Sequence, residues 1–201
     1  MKKITSLLTT WINSGYKLLL ASYGMSLFSE WIILPIYAVF VQKIGWDILD
    51  ASGAMATFLI TQGIFTIIIQ RLKRTKQHRI ALLVWGWAIW VIGISLYITI
   101  SSTLMLFITQ ILTALGNAIA DPIFDEELSN NTDKKNKLFE RWLFEGMQDI
   151  VNGIAAVIWW IIVVSYGFPA LIFIMIGMAT LSLISIIIYV KKHGYLKNHQ
   201  L

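Results

Sequence analysis

Glu30 is the residue whose position most needs a chemical reason. It is the only charge in a run from about Leu18 to Gln42, bounded by Lys17 and Lys43. A carboxylate in the middle of an apolar helix is costly, and such groups turn toward a partner or a cavity, where they bind a cation or relay a proton. The plainer alternative is a protonated Glu hydrogen-bonded to a neighbouring helix. Asn117 and Asp121 are spaced i, i+4 and share one helix face. Glu145, Gln148, Asp149 and Asn152 share another, and Gln62 and Gln110 add neutral polar groups inside apolar runs. The expected solute or ion cavity is Glu30, Gln62, Gln110, Asn117 and Asn152. Asp121, Glu145 and Asp149 either line the inner vestibule or, the preferred reading, pair with Arg71, Arg74 or Arg141 in a latch that closes one state and opens in another. Structural ion pairing is the simpler form of the same contacts.

Other chemistries have no footing. With no Cys in the chain, disulfides, thiol catalysis and Cys-ligated metals are excluded. The three histidines, His78, His193 and His199, lie in a loop or the tail, and no acid or His pair has metal spacing inside an apolar run. There is no nucleophile motif, phosphate-binding loop or dinucleotide fingerprint. No catalytic residue, metal or cofactor is expected, and an enzyme is not.

The elements that carry these residues follow from composition. Of 201 residues, 57% are hydrophobic and 13% charged. A soluble core of this size would not hide so much apolar surface. Span one runs from about 18 to 42, with Pro35 past its middle, and span two from 51 to 70. Ile80 to Ala120 is a run of 41 uncharged residues, too long for one crossing, with Ser101-Ser102-Thr103 as its turn. This predicts spans 80–99 and 104–124, followed by a polar loop from Asp125 to Arg141. Ile150 to Val190 is a second such run, broken at Tyr166-Gly167-Phe168-Pro169. It predicts spans 142–165 and 169–190. The fold class is therefore an all-α integral membrane protein of six helices. Residues 1–16 form an interfacial segment, 17–190 one six-helix domain, and 191–201 a basic tail.

Charge fixes the orientation. Fifteen Lys and Arg fall in the two termini, the Arg71–Arg79 loop and the loop before span five; only Lys43 falls on the other side. Positive loops stay inside, so both termini are expected in the cytoplasm, in a plasma or bacterial inner membrane. The net charge of +5 is gathered in loops, so nucleic acid is not an expected partner. Two triplets of helices, 1–3 and 4–6, are compatible with an inverted three-plus-three repeat, a common transporter construction.

Three stretches carry a family resemblance. They are span one with Pro35 and the following Gln42-Lys43-Ile44-Gly45; Leu112-Thr113-Ala114-Leu115-Gly116-Asn117-Ala118-Ile119-Ala120-Asp121-Pro122; and the Tyr166 to Phe173 turn. With the basic loop between spans two and three, residues 15–190 resemble the N-terminal half of a major facilitator superfamily transporter. The family's second-loop signature normally includes glycines and an acidic residue, whereas this loop is basic throughout. The fourth-helix Arg tied to proton coupling in many members is replaced by Leu112. The resemblance implies secondary transport of a small solute without specifying a coupling ion. It also implies that Glu30 lines the central cavity. The working unit would be a homodimer of six-helix bundles or a pair with a second half. A non-transporting scaffold, an assembly subunit or a truncated transporter half is the competing class.

The tryptophans are unusually placed. Trp31 is mid-span, Trp85, Trp87 and Trp90 crowd one helix, and Trp159-Trp160 stand where small residues are expected between helices. An aromatic lipid-facing surface is one reading. The other is that UGA codons meant as Gly have been translated as Trp. The gene separates them: UGA at Trp31, Trp159 and Trp160 upholds recoding, and UGG at those positions ends it.

Overall fold

The computed structural model describes residues 13–71, 78–133 and 136–194. Among these there is no strand, as expected where apolar runs must satisfy their own backbone hydrogen bonds. Helix α1 (Ser14–Trp31) starts at Asn13, whose side chain accepts from the Gly15 N–H at 3.0 Å. Pro35, which lacks an N–H, then sits in a 3₁₀ turn at Leu34–Ile36. Helix α2 (Tyr37–Lys43) completes the expected first span after that break. Of the interfacial segment expected at 1–16, residues 1–12 lie outside the described residues. Helix α3 (Ile48–Arg71) follows, then α4 (Arg79–Ser95) with a 3₁₀ turn at Leu96–Thr99. The expected turn is present: Ser102 caps α5 (Thr103–Asn131), accepting from the Met105 N–H at 3.2 Å. Helix α6 (Lys137–Tyr189) ends the core.

One expectation changes. The polar loop expected at 125–141 is mostly helix, because α5 runs on to Asn131 and α6 begins at Lys137. The acids that made it look like a loop are held by a basic partner and a tyrosine, described below. Among the described residues five helical stretches are long and apolar enough to cross a membrane, and the last of them holds, in α6, the fifth and sixth expected spans as two helices that meet across a kink. That element has 53 residues, about 80 Å at the helical rise, against a hydrocarbon core of about 30 Å. It breaks at Gly167, whose φ of 78° is open to glycine but costly for other residues. Pro169 follows.

The two arms of α6 meet α1 in opposite order. On the first arm, Glu140 accepts from Tyr16 through its backbone oxygen, and Met147 and Val151 face Gly24. On the second arm, Ser185, Ser182 and Met175 meet Leu18, Ser22 and Ser29 in turn. The first arm therefore runs with α1 and the second against it. Helix α5 packs along α3 and α4, and α4 also touches α6.

Small residues set the α4–α5 spacing. A Cβ on Gly116 would come within 2.5 Å of the Trp90 backbone nitrogen and 2.7 Å of its Cα. One on Gly86 would meet Ala120 at 2.9 Å, and one on Gly93 would meet Thr113 Oγ1 at 2.6 Å. Gly116→Ala must push α4 off α5, a loss of about 1–3 kcal/mol. Thermal unfolding in detergent should show Gly116→Ala melting several degrees lower. Gly63→Ala, whose Cβ meets nothing within 4 Å, should melt no lower than the parent chain. Equal melting of the two variants would contradict this packing.

Candidate functional site

Glu30 sits one residue before the end of α1, just ahead of the Pro35 break. Two donors from two helices reach it. The Trp90 indole N–H of α4 donates to Oε1 at 2.9 Å, and the Asn117 amide of α5 donates to the same oxygen at 3.2 Å. Among the described residues no hydrogen bond reaches Oε2. Close packing explains why both donors arrive together. Gly116 lets the Trp90 backbone lie against α5, and Asn117 is the next residue.

Glu30 lies in the walls of two cavities. The smaller, about 50 Å³, is polar and is lined also by Tyr23, Ser26, Trp87, Asn117 and Asp121. It has room for a few water molecules. The larger, about 200 Å³, is apolar and aromatic, with Trp31, Tyr37, Phe58 and Tyr97 in its wall.

The other expected cavity residues fall in three places. Asn117 is in the site itself. Gln62 lies nearby, its amide donating to Asp121 Oδ2 at 3.0 Å. Asp121 was expected in a latch with a basic residue; it lines the small cavity instead. The i, i+4 spacing with Asn117 holds, but both look inward. Gln110 lies in the wall of the larger cavity and donates to the Tyr37 and Tyr97 hydroxyls at 2.7 and 2.9 Å. Asn152 is in neither cavity, and its Oδ1 is buried without a partner among the described residues.

At the far end of the bundle the ion pairs differ from expectation. Arg79, at the start of α4, bridges Glu126 and Glu127 of α5. Glu127 is 2% exposed and also accepts from the Tyr189 hydroxyl at 2.5 Å, and Asn131 donates to that hydroxyl at 2.7 Å. Three elements are thereby tied at one point: α4, α5 and the second arm of α6. Arg141 pairs with Glu145 at 2.9 Å, on the surface and within one helix, where such a pair contributes little. Arg71 and Asp149 are exposed and make no ion pair among the described residues. Arg74 lies outside them. A cavity of about 550 Å³ opens at this end between Tyr16, Asp125, Lys137 and Arg141.

Sequence reasoning missed Arg79 with Glu127, and Trp90 as a donor. A signal for both was present. In an antiparallel hairpin folded about Thr103, residues equally far from Thr103 face each other. Arg79 then faces Glu127, and Trp90 faces Gly116. Trp87 and Trp90 are buried, and the Trp87 indole donates to Ser182 Oγ at 2.8 Å, so both use the polar handle of the ring. Trp31, Trp85 and Trp160 are exposed.

The family model of the Major Facilitator Superfamily matches residues 19–199. No curated protein and no solved structure matches the chain. The matched stretch contains Glu30, Trp90 and Asn117. Members of that family are membrane-embedded and generally transporters rather than enzymes. By this match and its long apolar helices, the chain is a multi-pass membrane protein that belongs to the major facilitator superfamily.

Proposed function

We propose that the chain is a secondary transporter of a small solute, with Glu30 as its central binding group. The observation that carries this is one carboxylate, held by Trp90 and Asn117, in the shared wall of two cavities. A purely structural Glu would be sealed on all sides, whereas this one lines both cavities and keeps an oxygen free of donors among the described residues. A solute reaching Glu30 from one side can leave from the other when the bundle rearranges.

In this reading the bundle crosses the membrane six times, because the two arms of α6 run oppositely along α1. The packing supports an inverted three-plus-three arrangement. Exchange spans one to three for spans four to six, and the most extensive contacts map onto one another. The α3–α5 contact becomes that of the first arm with α1; the α4–α5 contact becomes that of the second arm with α1. The Arg79 end faces the cytoplasm of a bacterial plasma membrane, by the excess of Lys and Arg in its loops. Residues 17–190 form the transport domain, with the expected segments 1–16 and 191–201 flanking it. The Arg79, Glu126, Glu127 and Tyr189 cluster closes that side. Arg71, Arg141, Glu145 and Asp149, with Arg74 outside the described residues, are its proposed partners for the open state. One bundle encloses only one wall of a pathway, so the working unit pairs it with a second copy or a second six-helix half. No phosphate-binding loop is present, so an ion or solute gradient drives the cycle.

Reconstituted vesicles test the reading. Uptake of a panel of small solutes, cationic, neutral and anionic, is measured under an imposed proton or sodium gradient. At least one solute should be taken up by the parent protein and lose most of its uptake, on the order of tenfold or more, in Glu30→Gln. Vesicles that take up none of the panel favour the scaffold class, whereas Glu30→Gln that transports as the parent does keeps the transporter and overturns Glu30 as its binding group.

A further inference from the structure

We propose that the site around Glu30 binds a lipophilic organic cation. Glu30 holds the charge and the aromatic cavity beside it holds the apolar body. The proposal deepens the transport reading by naming its solute class, and rests on it for passage across the membrane, though not for binding.

Four observations converge. Glu30 is the residue common to the walls of the polar and the apolar cavity, so a ligand in the larger one reaches it directly. No Lys, Arg or His among the described residues lines either cavity, while Asp121 adds a second carboxyl group to the smaller. An anion would meet like charge and no counter-charge. Both protein donors bond Oε1, which leaves Oε2 for a ligand. The larger cavity offers Trp31, Tyr37, Phe58 and Tyr97 with Met55 and Met175. Aromatic faces attract a cation, and methionine adapts to varied apolar shapes.

A sugar or other polyol is disfavoured by the same walls. Gln110 spends its amide on Tyr37 and Tyr97, and the Thr113 hydroxyl donates to the Thr109 backbone oxygen at 2.7 Å. Few donors remain for a ring of hydroxyls. In the larger cavity a bare metal ion would find one carboxylate and aromatic walls in place of the several oxygen ligands a hard cation takes.

The probe is phenyltrimethylammonium, compared with its uncharged isostere tert-butylbenzene and with benzenesulfonate. Equilibrium dialysis uses the full chain in lipid nanodiscs, corrected by empty nanodiscs. Phenyltrimethylammonium should bind saturably and on the order of tenfold tighter than either comparison compound. Glu30→Gln should lose roughly that factor, and Asp50→Asn, at the opposite end of α3 from Arg71, should not. Equal binding of the cation and its neutral isostere would overturn the proposal, and that comparison needs no variant to fold. Undiminished cation binding in Glu30→Gln would overturn it too. Saturable, Glu30-dependent binding without transport of any solute upholds the site and removes the transport reading. Transport of a neutral or anionic solute with no cation binding does the reverse.

Discussion

Glu30 depends on donors from two other helices, and those donors depend on a missing side chain. An unpaired charge among apolar helices costs several kcal/mol or more, so the carboxylate persists only where polar groups meet it. Trp90 and Asn117 do so from α4 and α5. They arrive on the same oxygen because Gly116 lets the two backbones lie in contact. Gly86 against Ala120 and Gly93 against Thr113 repeat that contact along the pair. Removing side chains is how membrane helices approach, because lipid supplies no hydrophobic drive between them. One line of small residues thus sets the helix spacing, the donor positions and the walls of both cavities.

The two ends of the bundle are held by different physics. At the Arg79 end a charged cluster ties α4, α5 and the second arm of α6, with Glu127 buried at its centre. Such a pair is weak evidence for stability, because desolvation offsets attraction, but breaking it leaves a buried charge. Energetics of that kind suit a contact that forms in one state and opens in another. At the opposite end the contacts are aromatic and largely uncharged. Phe40 packs on Tyr97 and Phe168, Gln110 joins two tyrosines, and the Lys43 ammonium lies 5.2 Å from the Phe168 ring centre. Glu30 stands between the two ends.

The fold was largely legible because its signals are gross ones. Long uncharged runs marked the helices, Pro35 marked the break in the first span, and Gly167-Phe168-Pro169 marked the reversal. The helix end at Asn131 was not legible: Asp125, Glu126 and Glu127 read as loop until Arg79 is seen opposite them. Glu30 stood out because a lone charge in an apolar run has few bland explanations, and Asn117 followed from helical spacing. Trp90 was missed because tryptophan was weighed as bulk rather than as an N–H donor. Asp121 was drawn toward basic residues by charge, whereas the structure pairs it with neutral Gln62. Partners of that kind depend on which faces of α3 and α5 meet, and a single sequence carries no direct record of it.

The central claim is that Glu30 faces a space open to water and solute, not a sealed packing contact. Because the chain has no cysteine, a single introduced thiol reports on one position alone. Glu30→Cys and Ile92→Cys, the latter on the exposed face of α4, can each be treated in membranes with a water-soluble cationic methanethiosulfonate reagent. The thiol at position 30 should be modified and that at position 92 little, because lipid excludes the reagent there. An unreactive thiol at position 30, in a protein otherwise folded as the parent, would contradict that claim.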